Sequence, residues 1–116
     1  MEIKRIVIGN LENILAKITG VTKITAVTDC NKKITMNLKV PLGYTIGRKR
    51  MRPKLTGDNT AMINAYKFKR REEGEEHISK YYDMIKYEIN FQTKEIKTLS
   101  QEEYKHLVWD SDWYQD

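Results

Sequence analysis

Hydrophobic and polar residues alternate along several stretches of this chain with the two-residue period that is typical of β-strands. The β-branched stretch over residues 2–8, EIKRIVI, ends at Gly9 and Asn10 and predicts a first strand. Residues 21–40 predict a β-hairpin that turns near residues 29–32. In its second half, Ile34, Met36, Leu38 and Val40 alternate with Lys33, Thr35, Asn37 and Lys39. This alternation indicates an antiparallel strand with one buried and one exposed face.

A helical period interrupts these strands once. Apolar residues recur at the i, i+3, i+4, i+7 spacing of one helix face, namely Leu11, Ile14, Leu15 and Ile18. Asn10 precedes them as a helix N-cap, and Gly20 follows as a left-handed stop. The pattern therefore predicts a short helix between the first strand and the hairpin.

The middle of the chain fits more than one structure. Residues 61–71 predict a strand with its larger apolar side chains on one side. Residues 75–85 fit either a hairpin return after a turn at Gly74 or a helix. We expect a strand, a turn and then a helix.

The pattern becomes clear again towards the C-terminus. Apolar residues alternate as in a strand at Ile85, Tyr87, Ile89 and Phe91. A turn then leads to a second strand over residues 96–99. Ser100 followed three residues later by Glu103 is a capping box, which predicts a short helix over residues 101–109.

These elements predict an α+β fold: a small antiparallel sheet of about four to six strands, with two or three short helices packed against one face. The 116 residues suit a single domain over residues 1–116, because one hydrophobic core commonly forms at this size. Within it we expect a basic loop near residues 41–59 and an acidic aromatic tail near residues 110–116. The loop lacks apolar periodicity, and a loop this long in a compact domain is usually functional or disordered.

Composition indicates an ordinary folded domain, with 40% hydrophobic and 32% charged residues. The mean hydropathy is −0.67, and no apolar run approaches the length of about 18 residues that a transmembrane helix needs. The first residues lack a signal-peptide pattern, and the single cysteine, Cys30, has no partner for an intramolecular disulfide. We therefore expect a cytoplasmic protein with no membrane partner. Lys, Ile, Asn and Tyr, which all have AT-rich codons, supply 42 of the 116 residues and indicate a low-GC bacterium or its phage.

Charge is distributed unevenly along the chain. Residues 45–71 carry nine basic groups and one acidic group, a net charge of +8, whereas the whole chain carries only +5. Residues 1–44 contribute +4, residues 72–100 contribute −3 and residues 101–116 contribute −4. Five of the six arginines lie in the segment over residues 45–71. An arginine presents a planar fork of donors that binds phosphate or carboxylate through paired hydrogen bonds.

This basic segment is the candidate binding site, and a nucleic-acid backbone is its expected ligand. The candidate residues are Tyr44, Arg48, Lys49, Arg50, Arg52, Lys54, Lys67, Lys69, Arg70 and Arg71. Rings and cations alternate over residues 66–71, as in proteins that bind single strands, although we expect Tyr66 and Phe68 in the core. An ordinary solvated loop would explain the same charges. The leading hypothesis is a small non-catalytic accessory protein that neutralises phosphates rather than reading bases.

Two other functions fit the same residues. A phage or mobile-element inhibitor or adaptor would engage the acidic surface of a host protein or of a nucleoprotein machine. Its interface anchors would be Trp109, Trp113 and Tyr114, because Trp, Tyr and Arg dominate interface hot spots. A small phosphate-ligand binder would use the arginines to grip its ligand and would act as a homo-oligomer. The expected partners are therefore nucleic acid or an acidic protein surface, with a homodimer left open.

No catalytic signature stands out in the sequence. Gly43 and Gly47 precede Arg48 without the Lys-Ser/Thr pair that completes a phosphate loop. His77 follows four glutamates in REEGEEH, which we interpret as a solvated charged turn. We expect no cofactor, no metal and no catalytic residue, and leave enzymatic activity open because catalytic groups converge only in three dimensions.

Overall fold

The structure, a computed structural model, describes residues 2–9, 20–46 and 52–109, with side chains to Leu107. Every regular element in these ranges is a β-strand. The described part of the protein is therefore all-β, and the predicted α+β class is wrong. The helix predicted over residues 10–19 lies outside the described residues.

Three consecutive strands form the first antiparallel sheet, in the order β1-β2-β3. They are β1 (Ile3–Ile8), β2 (Val21–Thr28) and β3 (Lys33–Lys39). The turn between β2 and β3 contains Asn31 at a positive φ of 62°, a conformation that asparagine tolerates better than most residues. The predicted first strand and the predicted hairpin are confirmed.

Five strands form the second antiparallel sheet. They are β4 (Thr45–Ile46), β5 (Lys54–Leu55), β6 (Thr60–Glu73), β7 (His77–Asn90) and β8 (Glu95–Trp109). The path runs β4-β6-β7-β8, and β5 also pairs with β6. The segment expected to be a loop therefore has two short strands, which pair with β6 along the edge opposite β7. The predicted strand over residues 61–71 is confirmed.

Two predicted helices in the described region are wrong. Residues 75–85 belong to the turn and to β7, which pairs with β6 on one edge and with β8 on the other. Residues 101–109 complete β8, where Glu103 does not cap a helix but binds Lys69 and Arg70 of β6. Strand partners far away in sequence satisfy the backbone hydrogen bonds here, and no local periodicity reveals such partners.

The two sheets pack face to face around one core, as in a β-sandwich. The first sheet contributes Ile3, Ile24, Ala26, Met36, Leu38 and Val40. The second contributes Ile46, Ala61, Ile63, Ala65, Ile85, Tyr87, Ile89 and Phe91. Within β6 and β7 the core positions alternate with outward-facing ones, as the period of a strand requires.

Gly20 closes one end of the first sheet in a conformation that only glycine adopts easily. Its φ is +74°, and the N–H of Val40 donates to the Gly20 carbonyl at 2.8 Å. A Cβ atom on Gly20 would lie 2.3 Å from the Val40 carbonyl oxygen. Both the backbone angle and the close approach therefore require the absence of a side chain.

The strands β6, β7 and β8 extend beyond the sandwich. A 14-residue strand such as β6 spans about 46 Å at about 3.3 Å per residue, which accounts for the longest dimension of 51 Å. The core along β6 ends at Ala65, and every β6 residue from Lys67 to Glu73 is exposed. We call the part formed by residues 67–73, 77–83 and 103–109 the ribbon.

Replacing Leu38 with alanine should lower the free energy of unfolding by about 2–5 kcal/mol, because a large side chain leaves a cavity between the sheets. Leu38 is only 1% exposed. Its neighbour Asn37 is exposed on the opposite face of β3, so Asn37→Ala is the matched control and should stay within about 0.5 kcal/mol of the wild type. Chemical denaturation measures both values. Equal losses would show that β3 is buried on both faces.

Candidate functional site

The predicted basic loop is tethered to β6 at both ends. Ile46 pairs with Ala65, and Lys54 pairs with Met62. Arg52 and Lys54 are exposed beside these anchors. The predicted binding residues between them, Arg48, Lys49 and Arg50, lie outside the described residues.

Tyr44 lies at the edge of the hydrophobic core. It is half-buried and packs against the buried cluster of both sheets. The pKa of the nearby Tyr87 hydroxyl is raised, first by burial and then by Tyr44. The structure therefore places Tyr44 as a packing residue at the base of the loop.

The other four predicted cations lie on the exposed end of β6, and three of them already have acidic partners. The Lys69 ammonium donates to Glu103 at 2.6 Å, and Arg70 donates to both oxygens of Glu103 at 3.2 and 3.3 Å. Arg71 donates to Glu73 at 2.9 Å. Lys67 is exposed and forms no ion pair with another described residue. A phosphate that bound Lys69 or Arg70 would therefore compete with Glu103.

The contacts with Lys69 and Arg70 shift the pKa of Glu103. Its pKa is lowered, first by the hydrogen bond from Lys69 and then by the one from Arg70. The pKa of Lys69 is raised by the same hydrogen bond. All three side chains are more than a third exposed, so solvent screens these pairs and they contribute little to stability.

The rings over residues 66–71 are separated from most of the cations. Tyr66 and Phe68 lie on the outer face of the second sheet, where they contact Tyr82 at centroid distances of 5.4 and 5.8 Å. Phe68 is 54% exposed. The expectation that these two rings belong to the core is therefore wrong. Their neighbours Lys69 and Arg70 point to the other face, towards Glu103.

A second basic surface lies on the first sheet, and the sequence prediction did not single it out. Five exposed cations lie on β1, β2 and β3, and the strand register places four of them, Arg5, Lys23, Lys33 and Lys39, on the face opposite the core. These three strands contain no Asp or Glu. We call this surface the basic face.

The cross-strand register places the four cations in two groups. Arg5 and Lys33 flank Val27 of the central strand. Lys39 pairs with Val21, two residues from Lys23, which makes Lys23 and Lys39 diagonal neighbours. The four residues from Lys23 to Val27 separate the groups by about 13 Å.

Polar uncharged side chains fill the space between these groups. The hydroxyls of Thr25 and Thr35 are 3.1 Å apart and hydrogen-bonded, and Asn37 is exposed beside them. The acidic residues nearest in sequence, Glu2 and Asp29, lie outside the strands at one end of the basic face. The face therefore combines fixed positive charge with hydrogen-bonding groups.

The sequence does contain a signal for the basic face. The alternation over residues 33–39 already separates Lys33, Thr35, Asn37 and Lys39 from the apolar positions. The net charge of +4 over residues 1–44 conceals this face, because it sums both faces of every strand together with the turns. Counting charge by strand face rather than by segment would have found it.

The remaining predicted anchors are only partly described. Trp109 ends β8 opposite His77, while Trp113 and Tyr114 lie outside the described residues. Cys30 is exposed in the β2–β3 turn, and the pKa of its thiol is lowered, first by a hydrogen bond with Thr28 and then by the backbone of Lys32. Among the described side chains, no three His, Cys, Asp or Glu residues converge as metal ligands.

No protein-family model, curated protein or solved structure matches this chain. Within residues 2–9, 20–46 and 52–109, no helix is long and apolar enough to cross a membrane. The two basic surfaces are therefore the features of the protein from which a function can be inferred.

Removing Lys69 should raise the pKa of Glu103 towards its usual value, because Lys69 supplies the largest contribution that lowers it. The measurement is an NMR titration of the Glu103 carboxyl carbon in wild type and in Lys69→Met. Lys67→Met is the matched control, since Lys67 is a nearby exposed lysine on the same strand that does not bind Glu103. An unchanged Glu103 pKa in Lys69→Met would contradict the ion pair.

Proposed function

We propose that this protein binds nucleic acid without catalysis, through electrostatic contacts between the phosphate backbone and the basic face of the first sheet. The observation that carries the proposal is the set of four exposed cations on one face of three strands that contain no acidic residue. Lys and Arg neutralise phosphates and release the counterions condensed around them, which is the main source of affinity that does not depend on sequence.

The spacing of the cations favours an extended anion over a small one. A small phosphate ligand needs donors that converge on one point, whereas the two groups on the basic face are about 13 Å apart along the strands. A polyanion with regularly spaced phosphates can contact both groups at once. Thr35 and Asn37, exposed between them, are suitable donors for additional phosphate oxygens.

The basic face also suits backbone binding better than base recognition. Its described residues include no aromatic side chain that would stack on a base, and its antiparallel strands present short polar and long cationic side chains on one surface. Contacts of this kind position a protein on nucleic acid without reading sequence. We therefore expect little discrimination between base sequences.

The predicted basic loop remains part of the proposal as a second contact. Arg52 and Lys54 are exposed on the second sheet, and Arg48, Lys49 and Arg50 follow from the sequence alone. Lys69 and Arg70 would contribute less, since Glu103 already binds both. We therefore expect the basic face to contribute most to binding, although residues 45–71 carry the larger net charge in sequence.

Binding to a duplex through the basic face should weaken steeply with salt. The four phosphate contacts of the basic face contribute about −3.6 to the slope of log K against log salt, from about −0.9 per neutralised phosphate, and any contact by the basic loop makes the slope steeper. Each of Lys23→Ala, Lys33→Ala and Lys39→Ala should flatten the slope by about one unit. Fluorescence anisotropy with labelled oligonucleotides, repeated over a series of salt concentrations, measures the slope.

Lys97→Ala is the matched control for this experiment. Lys97 is an exposed lysine of an antiparallel strand, as the others are, but it lies on β8 in the other sheet. Its replacement should leave the slope unchanged. Absence of binding to duplex and single strands at about 50 mM salt, where electrostatic binding is strong, would overturn the proposal and leave a protein partner as the better hypothesis.

A further inference from the structure

The outer face of the ribbon carries two parallel rows of side chains, one aromatic and one basic. The strand register places Phe68, Tyr82 and Tyr104 opposite one another across β6, β7 and β8. The next row on the same face consists of Arg71, Lys80 and His106. Two residues along a strand separate the rows, a distance of about 7 Å.

The aromatic row is a connected group of rings. The Phe68 and Tyr82 centroids are 5.8 Å apart, and the Tyr82 and Tyr104 centroids are 6.5 Å apart. Tyr66 adds a fourth ring, 5.4 Å from Tyr82 with an edge-to-face geometry. Phe68 is 54% exposed, so it presents the largest accessible ring surface on this face.

The opposite face of the ribbon differs sharply. There the guanidinium of Arg70 lies 3.9 Å from the centroid of the Tyr81 ring, and Lys105 lies 5.7 Å from the same ring. Cations therefore cover Tyr81, and Glu103 binds Lys69 and Arg70 beside it. The outer face combines one exposed ring, Phe68, and three half-buried rings with a separate row of basic side chains.

One ion pair between described residues involves the basic row. Arg71 donates to Glu73 at 2.9 Å, in a pair whose side chains are 38% and 74% exposed. A pair this exposed is weak and can exchange its carboxylate for a phosphate. Lys80, in the centre of the row, forms no ion pair with another described side chain.

We propose that this double row is a binding site for single-stranded nucleic acid, in which bases stack on Phe68 and its neighbouring rings while Arg71, Lys80 and His106 contact phosphates. The site rests on the proposed nucleic-acid function and deepens it by naming the form of nucleic acid. Aromatic platforms flanked by positive charge are the general means of binding single strands without reading sequence.

The ring spacing favours a single strand over a duplex. Bases in a duplex stack about 3.4 Å apart along each strand and have no free faces. The rings of the aromatic row are 5.8 and 6.5 Å apart, so neighbouring bases must separate from one another to contact neighbouring rings. Only an unpaired strand can separate its bases at low cost.

The basic row also favours nucleic acid over an apolar protein partner. Interface cores are depleted in charge, whereas here a basic row follows the rings at about 7 Å on the same face. A strand that stacks its bases on the rings places its phosphates beside them. The charge of this row complements that backbone.

The decisive experiment compares three labelled probes of equal length, about 12 nucleotides, which lies within the site size of single-strand binders. They are a thymidine strand, an abasic strand that keeps the phosphates but lacks bases, and a duplex. Fluorescence anisotropy measures the Kd of each probe for wild type and for Phe68→Ala, Phe68→Tyr and Tyr81→Ala. Tyr81→Ala removes a ring from the opposite face of the same ribbon and is the matched control.

We expect Phe68→Ala to weaken binding of the thymidine strand by about 5- to 150-fold, the range found for loss of one stacked base. Binding of the abasic strand and of the duplex should not change, because neither offers a free base face. Phe68→Tyr should retain wild-type affinity, and Tyr81→Ala should bind the thymidine strand as wild type does. An unchanged melting temperature for Phe68→Ala, whose side chain is 54% exposed, supports this interpretation.

Three results would overturn the site. Equal losses for the thymidine and abasic strands would show that Phe68 acts through the fold, and an equal loss in Tyr81→Ala would show the same. Wild-type affinity in Phe68→Ala, together with salt-dependent binding through the basic face, would exclude the ring site and leave the proposed function standing. Failure of wild type to bind any of the three probes would overturn both.

Discussion

The pairing of β7 with a strand on each of its edges is the interaction on which the rest of the structure depends. One half of β7 supplies Ile85, Tyr87 and Ile89 to the core, while the other half runs through the middle of the ribbon. The buried half specifies the register, because a slip of one residue would turn its apolar side chains outward. The same register then sets every cross-strand neighbour in the exposed half.

Two β-bulges decide which side chains share the outer face of the ribbon. The bulge between Phe68 and Arg70 adds Lys69 to β6, so that Arg71, and not Arg70, lies on the side of the rings. The irregularity opposite Lys86 and Tyr87 has the same effect on β8 and brings Tyr104 outward. A bulge inserts one residue and reverses the alternation beyond it. Both proposed rows on the ribbon therefore depend on these two local insertions.

The parts of the fold that could be predicted from the sequence are those with short-range causes. The hairpin over residues 21–40 has a clear two-residue alternation and a short turn, and it was predicted correctly. Residues 75–85 were predicted incorrectly, because Ile78, Tyr82 and Ile85 satisfy a helical spacing as well as lying on a strand. The Ser100 and Glu103 pattern failed for another reason: Glu103 meets its cations only when β6 and β8 are brought to either side of β7.

Only part of the candidate site could be predicted in the same way. The charge of residues 45–71 singled out Lys69 and Arg70 as candidate binding residues, but Glu103, 33 residues from Arg70, binds both of them in the folded chain.

In a protein made of two packed sheets, the charge that a ligand meets is the charge of one strand face and not the net charge of a chain segment. The core occupies the inner face of each sheet, so a ligand meets only the outward residues together with the turns. By that count β1, β2 and β3 present cations and no carboxylate, although residues 1–44 carry only half of the basic excess found over residues 45–71. The exposed end of β6 has the higher local charge in sequence, but there Glu103 and Glu73 offset the cations. Salt screens charges that are more than about 8 Å apart in space at physiological ionic strength, and so the smaller excess on one face can attract a polyanion more strongly than the larger one.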